Sequence, residues 1–220
     1  MEAKTMKIRW YGHSCFMLTD SNGVRVLTDP CDPGTGYKLS GIETDVVTIS
    51  HGHHDHNYME AVSGSPEVIN TAGKHEFRGV KITGFETFHD DCGGKKRGEN
   101  IMFIYEMDDM RVLHAGDLGA VPDTDTIEAL GRVDVLLVPV GGVFTVNYMG
   151  AREFANAVKP KVVIPMHYKT PALSFGLETV DEFLKSARDC KIHRLNQCEA
   201  TLTTESLGDD RILVMDYFER

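Results

Sequence analysis

The chain is short of the features that mark several protein classes. Its five cysteines, Cys15, Cys31, Cys92, Cys190 and Cys198, are odd in number, scattered, and include no CxxC pair. Reduced thiols in a reducing compartment fit that pattern better than a disulfide framework. No apolar run approaches the roughly 18–20 residues that cross a bilayer. The opening MEAKTMKIRWYGHSCFMLTD lacks the unbroken apolar stretch and small-residue cleavage site of a secretory signal. A cytoplasmic location without a membrane partner is therefore expected. Positive charge is also scarce, the formal net charge being −10. Nucleic-acid binders draw much of their affinity from a basic footprint, so this balance argues against that role. Linkers rich in Pro, Gly and Ser, low-complexity segments and short repeats are missing too. At 220 residues and 41% hydrophobic, the chain is expected to form one domain over residues 1–220.

What is present is a series of short Val-, Ile- and Leu-rich runs bounded by Gly, Pro, Asp and Asn, the pattern of strands between turns. Val24–Thr28, Val46–Ser50, Arg111–Ala115, Val133–Val138 and Lys161–Pro165 are among them. Several are apolar throughout, as strands covered on both faces are. Helices are expected over Tyr58–Val62, Thr124–Leu130, Gly150–Val158 and Leu177–Lys185, with closing strands at Ala200–Thr204 and Ile212–Tyr217. A coarse internal echo runs through the chain. GVRVLTDP followed by DVVTISHGH matches DMRVLHAGD followed by DVLLVPVGG, which suggests two similar sheet halves packed face to face.

Directly after the run Asp45–Ile49 comes SHGHHDH, four histidines and an aspartate in seven residues. Zinc and similar cations favour imidazole nitrogen and carboxylate oxygen. His51 and His53, at i and i+2, share a side of an extended segment. Asp55 and His56 follow where the chain turns, which would aim them at a neighbouring position. The spacing suits two adjacent metals better than one. His54 fits neither position and is expected to face solvent or to lie behind the ligands.

The pattern HxHxDH resembles the signature of the metallo-β-lactamase superfamily, and later landmarks follow in that family's order. They are Phe88-His89, His114-Ala115-Gly116-Asp117 and Pro165-Met166-His167-Tyr168, so the similarity runs from about Lys7 to about Thr170. The resemblance implies an α/β fold, a four-layered αββα sandwich with metals at the strand ends along one edge. It assigns His51, His53 and His89 to one divalent metal ion, and Asp55, His56 and His167 to a second, with Asp117 bridging. Zinc is the first expectation, and manganese or iron suit the same ligands. Trp10-Tyr11-Gly12-His13-Ser14 is similar to the opening of a narrower subgroup of metal-dependent hydrolases that includes ascorbate-6-phosphate lactonase-like proteins. Gly141-Gly142-Val143-Phe144-Thr145 matches the same subgroup. There His13 would lie near the metals and contact substrate or a developing oxyanion.

The implied activity is hydrolysis of a small ester, lactone, amide or phosphodiester by hydroxide held between the cations. Such a pair lowers the pKa of water from 15.7 towards roughly 7. Asp55 would hold geometry and accept a proton, and no Gly-x-Ser-x-Gly elbow surrounds Ser14 to supply a nucleophile instead. Asp29, in LTDP, is a candidate to orient a ligand histidine. Lys95, Lys96 and Arg97, in a glycine-rich loop expected to be mobile, could meet an anionic small-molecule substrate. Two alternatives stand beside this reading: a non-catalytic metal-binding or regulatory protein, and a nuclease of the same superfamily. Oligomeric state leaves no mark in the sequence.

Overall fold

A computed structural model describes residues 4–208 and 211–219. The first stretch of chain lays down β1 (Met6–Gly12), β2 (Cys15–Thr19), β3 (Arg25–Thr28), β4 (Ile42–Glu43) and β5 (Val46–Thr48). After the histidine-rich loop come β6 (Val62–Ser63), β7 (Glu67–Ile69), β8 (Gly73–Phe77), β9 (Val80–Phe88), β10 (Glu99–Met107) and β11 (Met110–His114). Helices and strands then alternate through α1 (Thr124–Leu130), β12 (Val135–Pro139), α2 (Tyr148–Val158) and β13 (Val162–Met166). Next follow α3 (Asp181–Ser186), β14 (Lys191–Arg194), β15 (Glu199–Leu202) and β16 (Arg211–Val214).

These strands form a six-stranded sheet in the order β15-β1-β2-β3-β5-β7 and an eight-stranded sheet in the order β14-β16-β13-β12-β11-β10-β9-β8. A small parallel pair, β4 with β6, stands apart. The period-2 alternation of a strand sorts side chains to opposite faces. Trp10, Phe16, Leu18, Val26 and Val46 point from the six-stranded sheet into one core shared with Phe103, Tyr105, Leu113 and Leu136 of the other. Between them Thr48 Oγ1 and Tyr105 OH hydrogen-bond at 2.7 Å, so the two buried hydroxyls satisfy each other. The sheets therefore pack face to face.

Both outer faces are covered as well, which is why so many strands read as unbroken apolar runs. On the eight-stranded sheet, α2 buries Ala151, Phe154 and Ala155. Each fully buried large side chain contributes about 1.5–3 kcal/mol. Asn147 starts this helix by accepting from the Met149 and Gly150 N–H groups, and it ends where Lys159, at φ 54°, precedes Pro160. On the six-stranded sheet, Tyr11, Met17, Leu27 and Val47 pack under Tyr37, Leu39, Leu173 and Leu177. That fourth layer is thin, built of loops and two 3-10 turns, Pro33–Thr35 and Met59–Ala61. The helix expected over Tyr58–Val62 is thus a single 3-10 turn.

The internal echo corresponds to structure. β3 runs parallel to β5, pairing Val26 with Val46, and β11 runs parallel to β12, pairing Val112 with Val135. The ends of these strands, together with β9 and β13, open onto one edge of the sandwich, where the histidine-rich loop lies.

Candidate metal centre

All the ligand candidates read from the sequence come together at this edge. Donor atoms of His51, His53 and His89 lie within 4.8 Å of one another, as do those of Asp55, His56 and His167 together with His13. Asp117 stands between the two groups. Its Oδ2 is 3.2 Å from His89 Nε2 and 3.3 Å from His167 Nε2, while its Oδ1 is 3.2 Å from His56 Nε2. His51 Nε2 lies 3.9 Å from Asp117 Oδ2. Residues far apart in the chain converge because they follow strands of the two stacked sheets that end at the same edge. His51 to His56 follow β5, His89 follows β9, Asp117 follows β11 and His167 follows β13.

The rings are held from behind. Asp29, immediately after β3, accepts from the Ser50 N–H at 2.7 Å, from Ser50 Oγ at 2.6 Å and from His56 Nδ1 at 2.9 Å. Because Ser50 Oγ gives its proton to Asp29, it accepts from His51 Nδ1 at 3.0 Å. One carboxylate thus fixes two imidazoles with Nδ1 protonated and Nε2 facing inward, the arrangement that orients metal-binding histidines. The expectation for Asp29 agrees with this geometry. The loop closes through the His56 N–H to His53 O bond of 2.9 Å and the Asn57 Nδ2 to Gly52 O bond of 2.8 Å.

Asp117 has a support that sequence reasoning missed. Its N–H donates to Asn100 Oδ1 at 2.8 Å, and Asn100 Nδ2 donates to Ala115 O and Thr87 Oγ1. Asn100 is fully buried near the start of β10. An asparagine there, disfavoured in strands, was the available signal. Gly116, at φ 57°, passes so close that a Cβ would lie 2.3 Å from Asn100 Oδ1 and 2.7 Å from Ser50 Cβ. Only glycine lets the chain turn Asp117 inward there. His114 is structural: Nε2 donates to Ser14 O across the sheets at 2.9 Å, and Nδ1 accepts from the Gly116 N–H.

His13 is buried, with its Nε2 3.2 Å from Asp55 Oδ2 and its ring 4.1 Å from that of His167. Burial, then the neighbouring His167, lowers its pKa to about 4. Burial and His56 likewise lower His51 to about 3. On His56 burial opposes the charged form, but the carboxylates of Asp117 and Asp29 outweigh it and raise its pKa well above the usual value. Burial opposes charge on Asp117 too, yet His167 and His56 hold its carboxyl well below the usual range. Three buried atoms aimed into the cluster, His51 Nε2, His56 Nε2 and Asp117 Oδ1, make no hydrogen bond. Unsatisfied buried polar atoms are costly, and nitrogen and carboxylate oxygen so disposed are the donor set of a divalent transition metal. The residues fit such an ion.

Around the cluster, His54 is 79% exposed at its side chain and lies 3.5 Å from Asp32. Cys92 points away to Asp90 Oδ1. Far from being a loose loop, residues 90–97 wrap the buried Asp90 carboxylate, which accepts from the N–H groups of Cys92, Gly94, Lys96 and Arg97 at 2.8–2.9 Å. A local glycine count could not reveal that carboxylate cradle. A cavity of 480 Å³ opens above the cluster, lined by His53, His89, Asp117, His167 and several residues of the surrounding loops.

Two stacked sheets with a histidine–aspartate cluster at the strand ends define a metallo-β-lactamase fold, and the family comparison agrees. Residues 7–167 match the model of the beta-lactamase superfamily domain. A UPF0173 metal-dependent hydrolase from Thermoplasma acidophilum is 32% identical over 193 residues, 76% of this chain and 85% of that protein. Another from Thermococcus onnurineus is 32% identical over 75% of this chain and 85% of its own. Among solved structures, a candidate Zn-dependent hydrolase of the metallo-β-lactamase superfamily from Thermotoga maritima superposes with a TM-score of 0.80 at 39% identity, covering 97% of this chain and 100% of that one. The chain belongs to the metallo-β-lactamase superfamily and, within it, to the UPF0173 metal-dependent hydrolases. No helix among the described residues is long and apolar enough to cross a membrane.

Proposed function

We propose that the chain is a dinuclear metal-dependent hydrolase that cleaves a small ester, lactone, amide or phosphodiester. The observation that carries this reading is Asp117, whose two oxygens face imidazoles of both ligand groups. His51, His53 and His89 would hold one ion, Asp55, His56 and His167 the other, and Asp117 would serve both. Imidazole and carboxylate donors suit zinc first and also accept manganese or iron. The description of the Thermotoga maritima relative as a candidate Zn-dependent hydrolase supports the first choice. When bound, such a cation pair supplies Lewis-acid activation of water and of the bond to be broken.

The chain's own groups do the rest. Asp29 and Ser50 keep the Nε2 edges of His51 and His56 turned inward without rearrangement during the reaction. Burial opposes ionisation of Asp55, but the His13 hydrogen bond and the nearby His56 keep its carboxyl below the usual range. An ionised Asp55 can accept a proton from the attacking water, with His13 Nε2–H orienting it. Full burial of His13, His56 and Asp117 shields the rear of the site from water, while exposed His53 marks its open side. A thiol route is disfavoured because burial pushes the Cys15 pKa well above its usual value.

Metal analysis with a hydrolysis screen tests this on the wild type and on His53→Ala, an exposed position where the fold should survive. Two equivalents of transition metal per wild-type chain are expected, with loss of metal and activity in the variant. Undiminished activity after chelation, with no metal lost from the variant, would overturn the assignment.

A further inference from the structure

The cavity over the ligand cluster contains one cation that no carboxylate neutralises. Arg97 lines it together with Phe144 and Phe175, and forms no ion pair among the described residues. Its guanidinium only reaches Val143 O, at 3.4 Å, and lies 5.7 Å from the centre of the Phe144 ring. The other two cations of the run are accounted for differently. Lys96 pairs with Asp91 at 3.0 Å, and neither Lys95 nor Lys96 lines the cavity. The Arg97 backbone is tied to Asp90 Oδ2 at 2.8 Å, one residue from His89. A permanent charge is therefore mounted on the same turn as a ligand candidate.

An aromatic path links this charge to the reacting end. The Phe144 and Phe175 rings meet edge-on at 6.2 Å, and Phe175 meets His13 edge-on at 5.4 Å. His13 in turn bonds Asp55. Phe144 is presented by a costly backbone, since Val143, a β-branched residue 58% exposed, adopts φ 62°. Strain at an exposed position is retained where the surroundings use it.

We propose that Arg97 is the specificity-determining residue, binding a carboxylate at the far end of the substrate while Phe144 and Phe175 hold the apolar segment between that carboxylate and the scissile bond. This rests on the hydrolase reading above. A guanidinium offers a planar fork matched to a carboxylate. A single guanidinium at the end away from the ligand cluster, with no Lys or second Arg beside it in the cavity wall among the described residues, matches a monoanionic tail better than a doubly charged phosphate. The substrate class is thus a flat, apolar ester or lactone with a carboxylate tail.

Phenyl acetate and 4-acetoxybenzoate differ only by that tail. In the metal-loaded wild type the carboxylated ester should have the higher kcat/KM. In Arg97→Gln the ratio of the two kcat/KM values should fall roughly 10- to 100-fold, the worth of one charge-assisted hydrogen-bonded contact. The loss should appear in KM, as expected for an interaction made equally in ground and transition states. Arg97→Lys should restore part of the ratio. Benzoate binding followed by calorimetry gives a readout free of turnover, and should weaken by a similar factor in Arg97→Gln. An unchanged ratio and unchanged benzoate affinity in Arg97→Gln would overturn the inference while phenyl acetate hydrolysis left the hydrolase reading standing. Absence of metal and of turnover on either ester would instead count against that reading, with benzoate binding still reporting on Arg97.

Discussion

Two parallel strand pairs, β3–β5 in one sheet and β11–β12 in the other, share a plan and serve different ends. In each, an aspartate at the start of the second strand bonds back to an arginine of the first. The Asp45 N–H donates to Arg25 O, and Asp45 Oδ2 accepts from the Arg25 N–H at 2.9 Å. The Asp134 N–H donates to Arg111 O, and Asp134 Oδ2 accepts from the Arg111 N–H, again at 2.9 Å. The halves diverge past the strand ends. Asp29 follows β3 directly and stays behind the site, holding His56 and Ser50. Asp117 lies three residues beyond β11, and Ala115 and Gly116 carry its carboxylate forward among the imidazoles. Beyond the second strands, the β5 side supplies ligand candidates, whereas the β12 side supplies Phe144 to the cavity wall and the Val143 carbonyl to Arg97. One repeated scaffold thus yields an orienting carboxylate in one half and a central one in the other through two extra residues.

Removing the central carboxylate should hurt most. Asp117→Ala should lose metal from both groups and lower kcat/KM on the order of 10³-fold, since Lewis-acid stabilisation is worth several kcal/mol. Steady-state kinetics and metal analysis check this. Asp29→Asn should be milder, because the ligands remain and only their orientation suffers. A 10- to 100-fold weaker metal affinity is expected, roughly the usual cost of losing such a partner, measured by competition with a chelator. Equal effects from both substitutions would break the distinction drawn between the halves.

The two strand-linking aspartates offer a stability test away from the site. Asp134 is 1% exposed and also has Arg132 within 3.2 Å, whereas the Asp45 side chain is 20% exposed. Asp134→Ala leaves the Arg111 N–H unsatisfied in a dry setting and should cost about 1–3 kcal/mol. Asp45→Ala should cost less, since water can replace the lost acceptor; urea unfolding would rank them. The smallest effect is expected at the β12 tip. Val143→Gly should relieve the left-handed backbone and change stability by about 1 kcal/mol or less in favour of folding. Thermal melts would detect it, and a destabilised variant would remove the case for strain there.

Much of the site was legible because it is written in local spacing. HxHxDH after an apolar strand, and single histidines or aspartates at later strand ends, name the residues that meet. α1 was also readable, with Asp123 capping it through the Thr126 N–H and Gly131 ending it. The segment before α3 was harder. Helical periodicity over Leu177–Lys185 suggested an earlier start, but residues 177–179 stay irregular, where the Glu178 N–H bonds Gly141 O. β8 and β14 escaped notice because they are sheet edges. GKHEF and KIHR are mostly exposed and carry the charges that discourage edge pairing, so no apolar alternation marks them. Asn100 and Asp90 illustrate the remaining gap. Each organises a loop through contacts that no short sequence pattern encodes.

The central claim is that Asp117 stands between two cation positions, both rooted in the His51–His56 loop and completed by His89 on one side and His167 on the other. Crystals of the metal-loaded protein, with anomalous diffraction recorded at the absorption edge of the metal present, test it most directly. The account predicts two anomalous peaks flanking the Asp117 carboxylate, one among His51, His53 and His89 and the other among Asp55, His56 and His167. A single peak at full metal loading, or peaks away from Asp117, would contradict it.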